Sequence, residues 1–173
     1  MRKVVFGGAM SLDGFIAGPN GEYDWIVPDP DVDFTAEMRR FDTFLIGRKT
    51  YDAMRRAGRA DPVAGIAYFV FSRALRPDDC PGSTLSGDAA RTVADLKTKA
   101  GKDIALFGGG ELFRSLLAAG LVDEVRVNVV PILLGGGIPL LPPPAERTRL
   151  KLKEHRLYTK TGTVSLAYDI LAR

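Results

Sequence analysis

Phe107-Gly108-Gly109-Gly110-Glu111 joins an apolar run at Asp103–Phe107 to a helical pattern at Glu111–Ala119. A strand that ends in glycine and turns directly into a helix collects free backbone N–H groups at one point, and that point attracts phosphate. One glycine is enough for a tight turn with positive φ, so three in succession favour an approaching ligand over a turn alone. The stretch therefore predicts an α/β fold with a pyrophosphate bound at this turn.

Two further strand ends carry similar residues. Gly47-Arg48-Lys49-Thr50-Tyr51 follows an apolar run and opens a helical pattern, and Val70-Phe71-Ser72-Arg73 ends another apolar run. The planar guanidinium groups of Arg48 and Arg73 suit phosphate oxygens. At the ends of neighbouring parallel strands these turns would line one crevice, as a dinucleotide with an extra 2′-phosphate requires. The alternatives are a solvated arginine at a helix start and a solvated turn at a strand end.

Apolar runs and helical patterns alternate along most of the chain, and the C-terminus is β-rich instead. The predicted strands are Lys3–Ala9, Thr43–Ile46, Ala67–Phe71, a very short strand at Thr84-Leu85, Asp103–Phe107, Glu124–Val130 and a hairpin of Leu150–Tyr158 and Thr163–Leu171. The predicted helices are Asp33–Phe41, Lys49–Ala57, a helix capped by Asp88 that runs to Ala100, and Glu111–Ala119. This order predicts a single domain over residues 1–173, a three-layer α/β/α fold with a mostly parallel sheet and an antiparallel C-terminal hairpin.

The composition is that of a soluble globular protein and excludes several classes of function. Hydrophobic residues make up 46% and charged residues 26%, and the net charge is +3. Lys and Arg are mixed with Asp and Glu, so no nucleic-acid partner is expected. With one histidine, His155, and one cysteine, Cys80, neither a metal site of the usual zinc type nor a disulfide framework is expected. The sequence shows no signal-peptide pattern, and no apolar stretch approaches the length of a membrane helix, roughly 20 residues. Both observations favour a cytoplasmic protein with no membrane partner.

An acidic loop after Trp25 supplies the candidate catalytic acids. Asp31 and Asp33 follow two prolines, and a carboxylate near an aromatic ring is a candidate proton donor. Trp25 could stack on a flat heterocycle, or it could belong to the core. For any single aspartate, helix capping or a place in a solvated loop is the stronger alternative.

Three motifs in this order resemble the dihydrofolate reductase superfamily: Ala9-Met10-Ser11-Leu12-Asp13-Gly14-Phe15-Ile16-Ala17, Gly47-Arg48-Lys49-Thr50-Tyr51, and Gly108-Gly109-Gly110-Glu111-Leu112-Phe113. Within it the chain is similar to the reductase domain of the bifunctional riboflavin-biosynthesis deaminase-reductase. That similarity lies in Ser11-Leu12-Asp13-Gly14 and in the stretch from Leu121 to Leu140. No zinc signature of the deaminase domain is present, so a stand-alone reductase is expected.

The resemblance implies a dihydrofolate-reductase-like fold, NADPH as hydride donor and a homodimer. The implied reaction is that of 5-amino-6-(5-phosphoribosylamino)uracil reductase, or hydride transfer to a similar small heterocyclic substrate. The implied cofactor residues are Ala9 and Ile16 at the nicotinamide, Arg48, Ser72 and Arg73 at the 2′-phosphate, Thr50, Gly108, Gly109 and Gly110 at the pyrophosphate, and also Gly47, Glu111 and Leu112. The expected substrate residues are Ser11, Asp13 and Trp25, and the expected catalytic residues are Asp31 and Asp33. The apolar stretch from Val125 to Pro144 also favours a dimer.

Two departures from the superfamily pattern bear on the substrate. A dihydrofolate reductase carries a carboxylate two residues beyond the proline of Trp-x-x-Pro, but Pro28 is followed here by Asp29, Pro30 and Asp31. Phe113 replaces the usual tyrosine after the glycines. Dihydrofolate or pteridine reduction is therefore the second hypothesis, and a catalytically inactive NADPH-binding dimer is the third.

Overall fold

The computed structural model describes residues 1–171, so the last two residues of the domain predicted over residues 1–173 lie outside the described range. The strands are β1 (Val4–Ser11), β2 (Phe15–Ala17), β3 (Phe41–Gly47), β4 (Ala67–Phe71), β5 (Thr84–Ser86), β6 (Asp103–Gly108), β7 (Glu124–Val130), β8 (Ile138–Pro139), β9 (Leu150–Tyr158) and β10 (Thr163–Ile170). The helices are α1 (Phe34–Met38), α2 (Arg48–Arg56), α3 (Ala89–Thr98) and α4 (Gly110–Ala118), and Pro77–Asp79 forms a short 3₁₀ helix.

Eight strands form one sheet in the order β5-β4-β3-β6-β1-β7-β10-β9. The five pairings from β5 to β7 are parallel, and the two pairings of β10 are antiparallel. β2 and β8 form a separate two-stranded antiparallel sheet. The predicted α/β fold, a mostly parallel sheet with an antiparallel hairpin at one edge, is confirmed.

Helices cover both faces of the sheet because successive strand residues point to opposite sides. Phe6 packs in one core cluster with Val93 of α3 and Phe113 of α4, and the rings of Phe6 and Phe113 stack with centroids 4.1 Å apart. Val5 packs in the other cluster with Tyr51 of α2. The three predicted layers follow from this two-sided burial. No helix within residues 1–171 is long and apolar enough to cross a membrane.

Some predicted boundaries were wrong. The helix predicted over Asp33–Phe41 shortens to α1, because Phe41 is buried as the first residue of β3 while Phe34 is 60% exposed. The helix predicted to reach Ala100 ends at Thr98, since Lys99 takes an extended conformation. β2 and β8 were not predicted, because two or three residues are too few to show a periodic pattern.

A buried carboxylate, Glu124, ties the sheet together at the end opposite the glycine turns. Its side chain is fully buried and accepts hydrogen bonds from Arg40, Arg126 and Lys153. Burial alone would raise the pKa of the Glu124 carboxyl, but the three cations outweigh it and hold that pKa well below the usual 4.5. The cluster joins β7 to the start of β3 and to β9, away from the carboxyl ends of the strands.

Candidate functional site

A crevice opens in the sheet between β1 and β6. Their parallel pairing covers only residues 4–6 and 104–106. β1 nevertheless stays paired with β7 as far as Ser11. The two strands therefore separate, and Gly7 and Phe107 are the first residues on either side of the opening. Crevices at the carboxyl ends of parallel strands, where the strand order reverses, are the usual ligand sites of open α/β sheets.

Helices α2 and α4 begin at this end of the sheet, and glycine caps both. Gly47 and Gly109 are the N-cap residues, and neither cap makes a side-chain hydrogen bond to its helix. By contrast, the carboxylates of Asp33 and Asp88 cap α1 and α3. The first backbone N–H groups of α2 and α4 are thus left for another acceptor, and this is how helix starts bind phosphate.

The two uncapped helix starts are neighbours because β3 and β6 pair in parallel, with Ile46 beside Gly108. A methyl group added at Gly47 would lie 3.4 Å from the carbonyl oxygen of Gly108. A methyl group at Gly108 or at Gly109 would lie 3.1 or 3.2 Å from Oγ1 of Thr50. The Thr50 hydroxyl makes no hydrogen bond within the described residues. A free hydroxyl and two sets of free N–H groups therefore converge at one point.

The three consecutive glycines have different structural roles. Gly108 has φ +154°, a value that favours glycine, and its peptide bond to Gly109 is cis. A methyl group at Gly110 would lie 2.8 Å from both the carbonyl oxygen of Pro139 and Cδ of Pro142, so packing explains this glycine. Gly109 has φ −93°, which any residue adopts, and only the Thr50 hydroxyl is close to it. Gly109 is therefore the glycine that packing leaves unexplained.

The expected 2′-phosphate residues lie at the ends of adjacent strands. Arg48 is exposed and its Nε lies 3.6 Å from the carboxylate of Asp52, one turn along α2. Arg73 is exposed after the end of β4, the neighbour of β3. The hydroxyl of Ser72 accepts hydrogen bonds of 3.1 Å from the backbone N–H groups two and three residues ahead. The two guanidinium groups are therefore accessible to a phosphate, whereas the Ser72 hydroxyl stabilises its own turn.

Ser11 and Asp13 form a hydrogen-bond network at the end of β1. The buried Ser11 hydroxyl donates to Asp13 at 2.6 Å and accepts from the N–H of Phe15 at 3.0 Å. Asp13 also accepts from the N–H groups of Leu134 and Gly135. The bond from Ser11, helped by these backbone bonds, holds the pKa of the Asp13 carboxyl below its usual value. The network ties the turn after β1 to the loop after β7 and so shapes one end of the crevice.

Both candidate catalytic acids already have protein partners. The Asp33 carboxylate caps α1 through a 2.9 Å bond, and Asp31 lies 2.7 Å from Nζ of Lys160. Asp29, the remaining aspartate of this acidic loop, accepts from the N–H of Asp31 and from the N–H and hydroxyl of Thr161. Burial would raise the pKa of the Asp29 carboxyl, but these bonds hold it below its usual value. No group of three or more His, Cys, Asp and Glu side chains among residues 1–171 is placed to hold a metal ion.

The remaining expected residues lie around the same end of the molecule. Ala9 in β1 and Ile16 in β2 are half-buried. Glu111 and Leu112 form the first turn of α4, where the Leu112 side chain is buried in the core and the Glu111 carboxylate lies 2.6 Å from a guanidinium nitrogen one turn ahead. The indole N–H of Trp25 donates to a backbone carbonyl of its own loop at 3.2 Å.

Sequence reasoning missed two residues near the crevice, Phe107 and Asn128. Phe107 is 40% exposed and stacks on Phe44 with ring centroids 5.4 Å apart. In the sequence it is only the last apolar residue of a buried strand. Asn128 pairs with Ala9 across β1 and β7. In the sequence Asn128 differs from its neighbours as a polar residue within the Val-rich segment of β7. Its place near the crevice becomes visible only from the strand pairing.

Comparison with known proteins gives the same family by sequence and by structure. The model of the RibD C-terminal domain matches residues 2–164. The uncharacterized protein YyaP of Bacillus subtilis is 35% identical, with 96% of this chain and 94% of that protein covered. A 2,5-diamino-6-ribosylamino-4(3H)-pyrimidinone 5′-phosphate reductase of Methanothermobacter thermautotrophicus is 30% identical, with 96% and 97% covered.

Solved structures agree with this result. A crystal structure described as a riboflavin biosynthesis protein from Shewanella sp. PV-4 matches with a TM-score of 0.82 at 30% identity, covering 99% of this chain and 100% of that one. A dihydrofolate reductase of Enterococcus faecalis, complexed with NADP(H), matches with a TM-score of 0.70 at 16% identity, covering 98% of this chain and 97% of that one, which shows the fold. The chain belongs to the RibD C-terminal domain family.

Proposed function

We propose that the protein is a reductase that binds NADPH at the crevice between β1 and β6 and reduces a small heterocyclic substrate of the 5-amino-6-(5-phosphoribosylamino)uracil type. One observation carries the proposal: the glycine-capped starts of α2 and α4 meet beside the free hydroxyl of Thr50. A pyrophosphate has enough oxygens to accept hydrogen bonds from both helix starts. The reductase among the relatives supports hydride chemistry in this family.

The residues around the crevice fit a nicotinamide dinucleotide. When bound, NADPH would supply a hydride from its nicotinamide ring, and the protein sets distance, orientation and access of water. Ala9 and Ile16 would flank the nicotinamide, because small and apolar side chains leave room for a flat ring. Arg48 and Arg73 would hold the 2′-phosphate at the other end. A charge-assisted hydrogen bond of this kind contributes about 1.5–3 kcal/mol, which is roughly tenfold or more in affinity.

Asp31 and Asp33 are the proposed proton donors, and Ser11, Asp13 and Trp25 the proposed substrate residues. A proton donor has to reach within about 3 Å of the accepting atom. Asp31 would therefore have to exchange Lys160 for the substrate, and Asp33 would have to leave the start of α1. The rearrangement is local, because α1 is five residues long and buries none of its side chains.

We also propose a homodimer, formed through the uncovered apolar side of the C-terminal hairpin. Val125 and Val127, in the stretch that favours a dimer from the sequence, are buried in the core instead. Leu133 of that stretch is 69% exposed, but three exposed apolar residues lie together on β9, where Leu150, Leu152 and Leu157 are 45%, 50% and 59% exposed. β9 is also an edge strand of the sheet. An apolar patch on such an edge favours a two-fold interface between identical faces.

The proposed activity is tested by mixing the protein with NADPH and 2,5-diamino-6-ribosylamino-4(3H)-pyrimidinone 5′-phosphate and following the loss of nicotinamide absorbance. We expect turnover by the wild type and none by Gly109→Val, which should keep its fold by circular dichroism. Loss of turnover with an unchanged fold would connect the reaction to the glycine turn. A wild type that fails to bind NADPH would refute the proposal.

A further inference from the structure

Asn128 stands in β7 with no hydrogen-bond partner for its side chain among the residues that the structure describes. Val127 and Val129 on either side pack toward the core cluster that contains α3 and α4. Asn128 therefore faces the opposite side of the sheet, the side of its strand partner Ala9. Asn128 is half-buried, and its side chain makes no hydrogen bond within residues 1–171. Asparagine is depleted in strands, so neither packing nor strand propensity explains it.

The other two polar side chains of β7, unlike that of Asn128, form hydrogen bonds with other side chains. Arg126 and Glu124 bond to each other on the same face of the sheet, and Arg126 also reaches Glu154 on β9. They belong to the buried ion cluster at the amino end of the strands. The amide of Asn128 lies nearer the carboxyl end, where β1 has separated from β6.

On the face of the sheet that carries Asn128, the opening beside β1 is empty at Gly7, the strand partner of Arg126, and has a flat aromatic boundary. A methyl group at Gly7 would meet no atom within 4 Å. Phe107 lies across the opening and stacks on Phe44. Phe44 packs in the same core cluster as Val5, and Val5 and Gly7 point to the same side of β1. The exposed Phe107 ring therefore lies on the same face of the sheet as Gly7. Strands lie about 4.8 Å apart, so β7 is at least roughly 10 Å from β6. One heterocycle fits between the Phe107 ring and the Asn128 amide.

We infer that Asn128 binds the substrate heterocycle through a cyclic amide, that is, a ring N–H beside a ring carbonyl. A carboxamide presents one acceptor oxygen and N–H donors in one plane, which matches a lactam edge with two hydrogen bonds. A ring without that edge would displace water from the amide and leave it unpaired, at a cost in binding. The inference rests on the proposed function, because it takes Ala9 to lie beside the nicotinamide. It assigns Asn128 as the residue that selects the lactam edge of that substrate.

The test is calorimetric titration of the NADP⁺-saturated protein with 2,5-diamino-6-ribosylamino-4(3H)-pyrimidinone 5′-phosphate, which requires no turnover. Asn128→Asp keeps the size of the side chain but loses the N–H donor, and Asn128→Leu loses both hydrogen-bonding groups. We expect both variants to bind at least about tenfold more weakly than the wild type. The control is Ser165→Ala: Ser165 pairs with Asn128 from β10, one strand farther from Ala9. Its affinity should stay within about twofold of the wild type, and all variants should keep the wild-type unfolding temperature.

A second ligand isolates the hydrogen bond itself. Methylation of the lactam nitrogen removes the ring N–H, so the methylated ligand should bind the wild type at least about tenfold more weakly than the parent. In Asn128→Leu the same methylation should change little, because the partner has already been removed. Equal affinity of the wild type and Asn128→Asp, or an equal methylation penalty in the wild type and Asn128→Leu, would overturn the inference. Lactam binding that depends on Asn128 in a protein that never oxidises NADPH would keep the inference and reject the proposed reductase activity.

Discussion

Gly47 and Gly108 approach backbone to backbone at the ends of neighbouring parallel strands. A methyl group on Gly47 would lie 3.4 Å from the carbonyl oxygen of Gly108. α2 follows β3 without an intervening residue, and α4 begins two residues after Gly108. This close approach therefore brings two helix starts together, and both can contact one anionic ligand.

Two adjacent glycines should respond differently to the same substitution. Gly110→Val should destabilise the fold by about 3 kcal/mol, because its Cβ would lie 2.8 Å from the Pro139 carbonyl oxygen and from Cδ of Pro142. Gly109→Val should leave the fold intact but lower NADPH affinity at least about tenfold, since the side chain would fill the space assigned to the pyrophosphate. Thermal unfolding and NADPH titration of both variants measure the two effects. Normal NADPH binding by Gly109→Val would mean that the glycines form only a turn.

The buried Glu124 should control stability at acidic pH. Glu124→Gln should lower the free energy of unfolding at pH 7 by about 3 kcal/mol, because three cations lose their charged partner. The pKa of Glu124 is depressed in the folded state, so its contribution is complete above the unfolded pKa of 4.5 and is lost as pH falls toward the folded pKa. At pH 3 the difference between wild type and variant should shrink by about 2 kcal/mol. Urea unfolding at both values tests this, and a difference that does not change with pH would count against it.

The hairpin surface should determine the oligomeric state. Light scattering of the wild type at micromolar concentration should give twice the mass of one chain. The double variant Leu152→Lys, Leu157→Lys should be monomeric, because charged side chains would replace two exposed apolar residues of β9. Val63→Lys is the matched control, since Val63 is 57% exposed but lies between α2 and β4. A monomeric wild type, or dissociation by the control, would contradict this interface.

Dihydrofolate should be a poor substrate. Protonation of its ring nitrogen requires a carboxylate at the pterin edge. Both oxygens of Asp29 are occupied by hydrogen bonds to its own loop and to the hairpin turn, and the rigid Pro30 stands two residues beyond Pro28, where a dihydrofolate reductase carries its carboxylate. NADPH oxidation with saturating dihydrofolate should therefore stay near background in the wild type and in Asp31→Asn. Rapid wild-type turnover that collapses in Asp31→Asn would instead make folate or pteridine reduction the preferred function.

Local features of this fold could be predicted from the sequence, but features that depend on strand pairing could not. The strand–glycine–helix turn at Gly108 is visible because all of its residues are consecutive, and the capping of α1 by Asp33 was foreseen as an alternative for the same reason. The crevice is not visible, because it arises where β1 leaves β6 while remaining paired with β7. Asn128 enters the site only through that pairing. The close packing that requires a glycine at position 110 involves Pro139, which lies 29 residues away in the chain.

The most direct test of the proposed cofactor site is a titration of the wild type with NADPH and with NADH, repeated for the double variant Arg48→Ala, Arg73→Ala. The matched control is Arg56→Ala, at the far end of α2. We predict that the wild type and the control bind NADPH at least about tenfold more tightly than NADH. The double variant should lose this preference by weaker NADPH binding alone. Equal affinity of the wild type for the two cofactors, or no binding of either, would contradict the proposal.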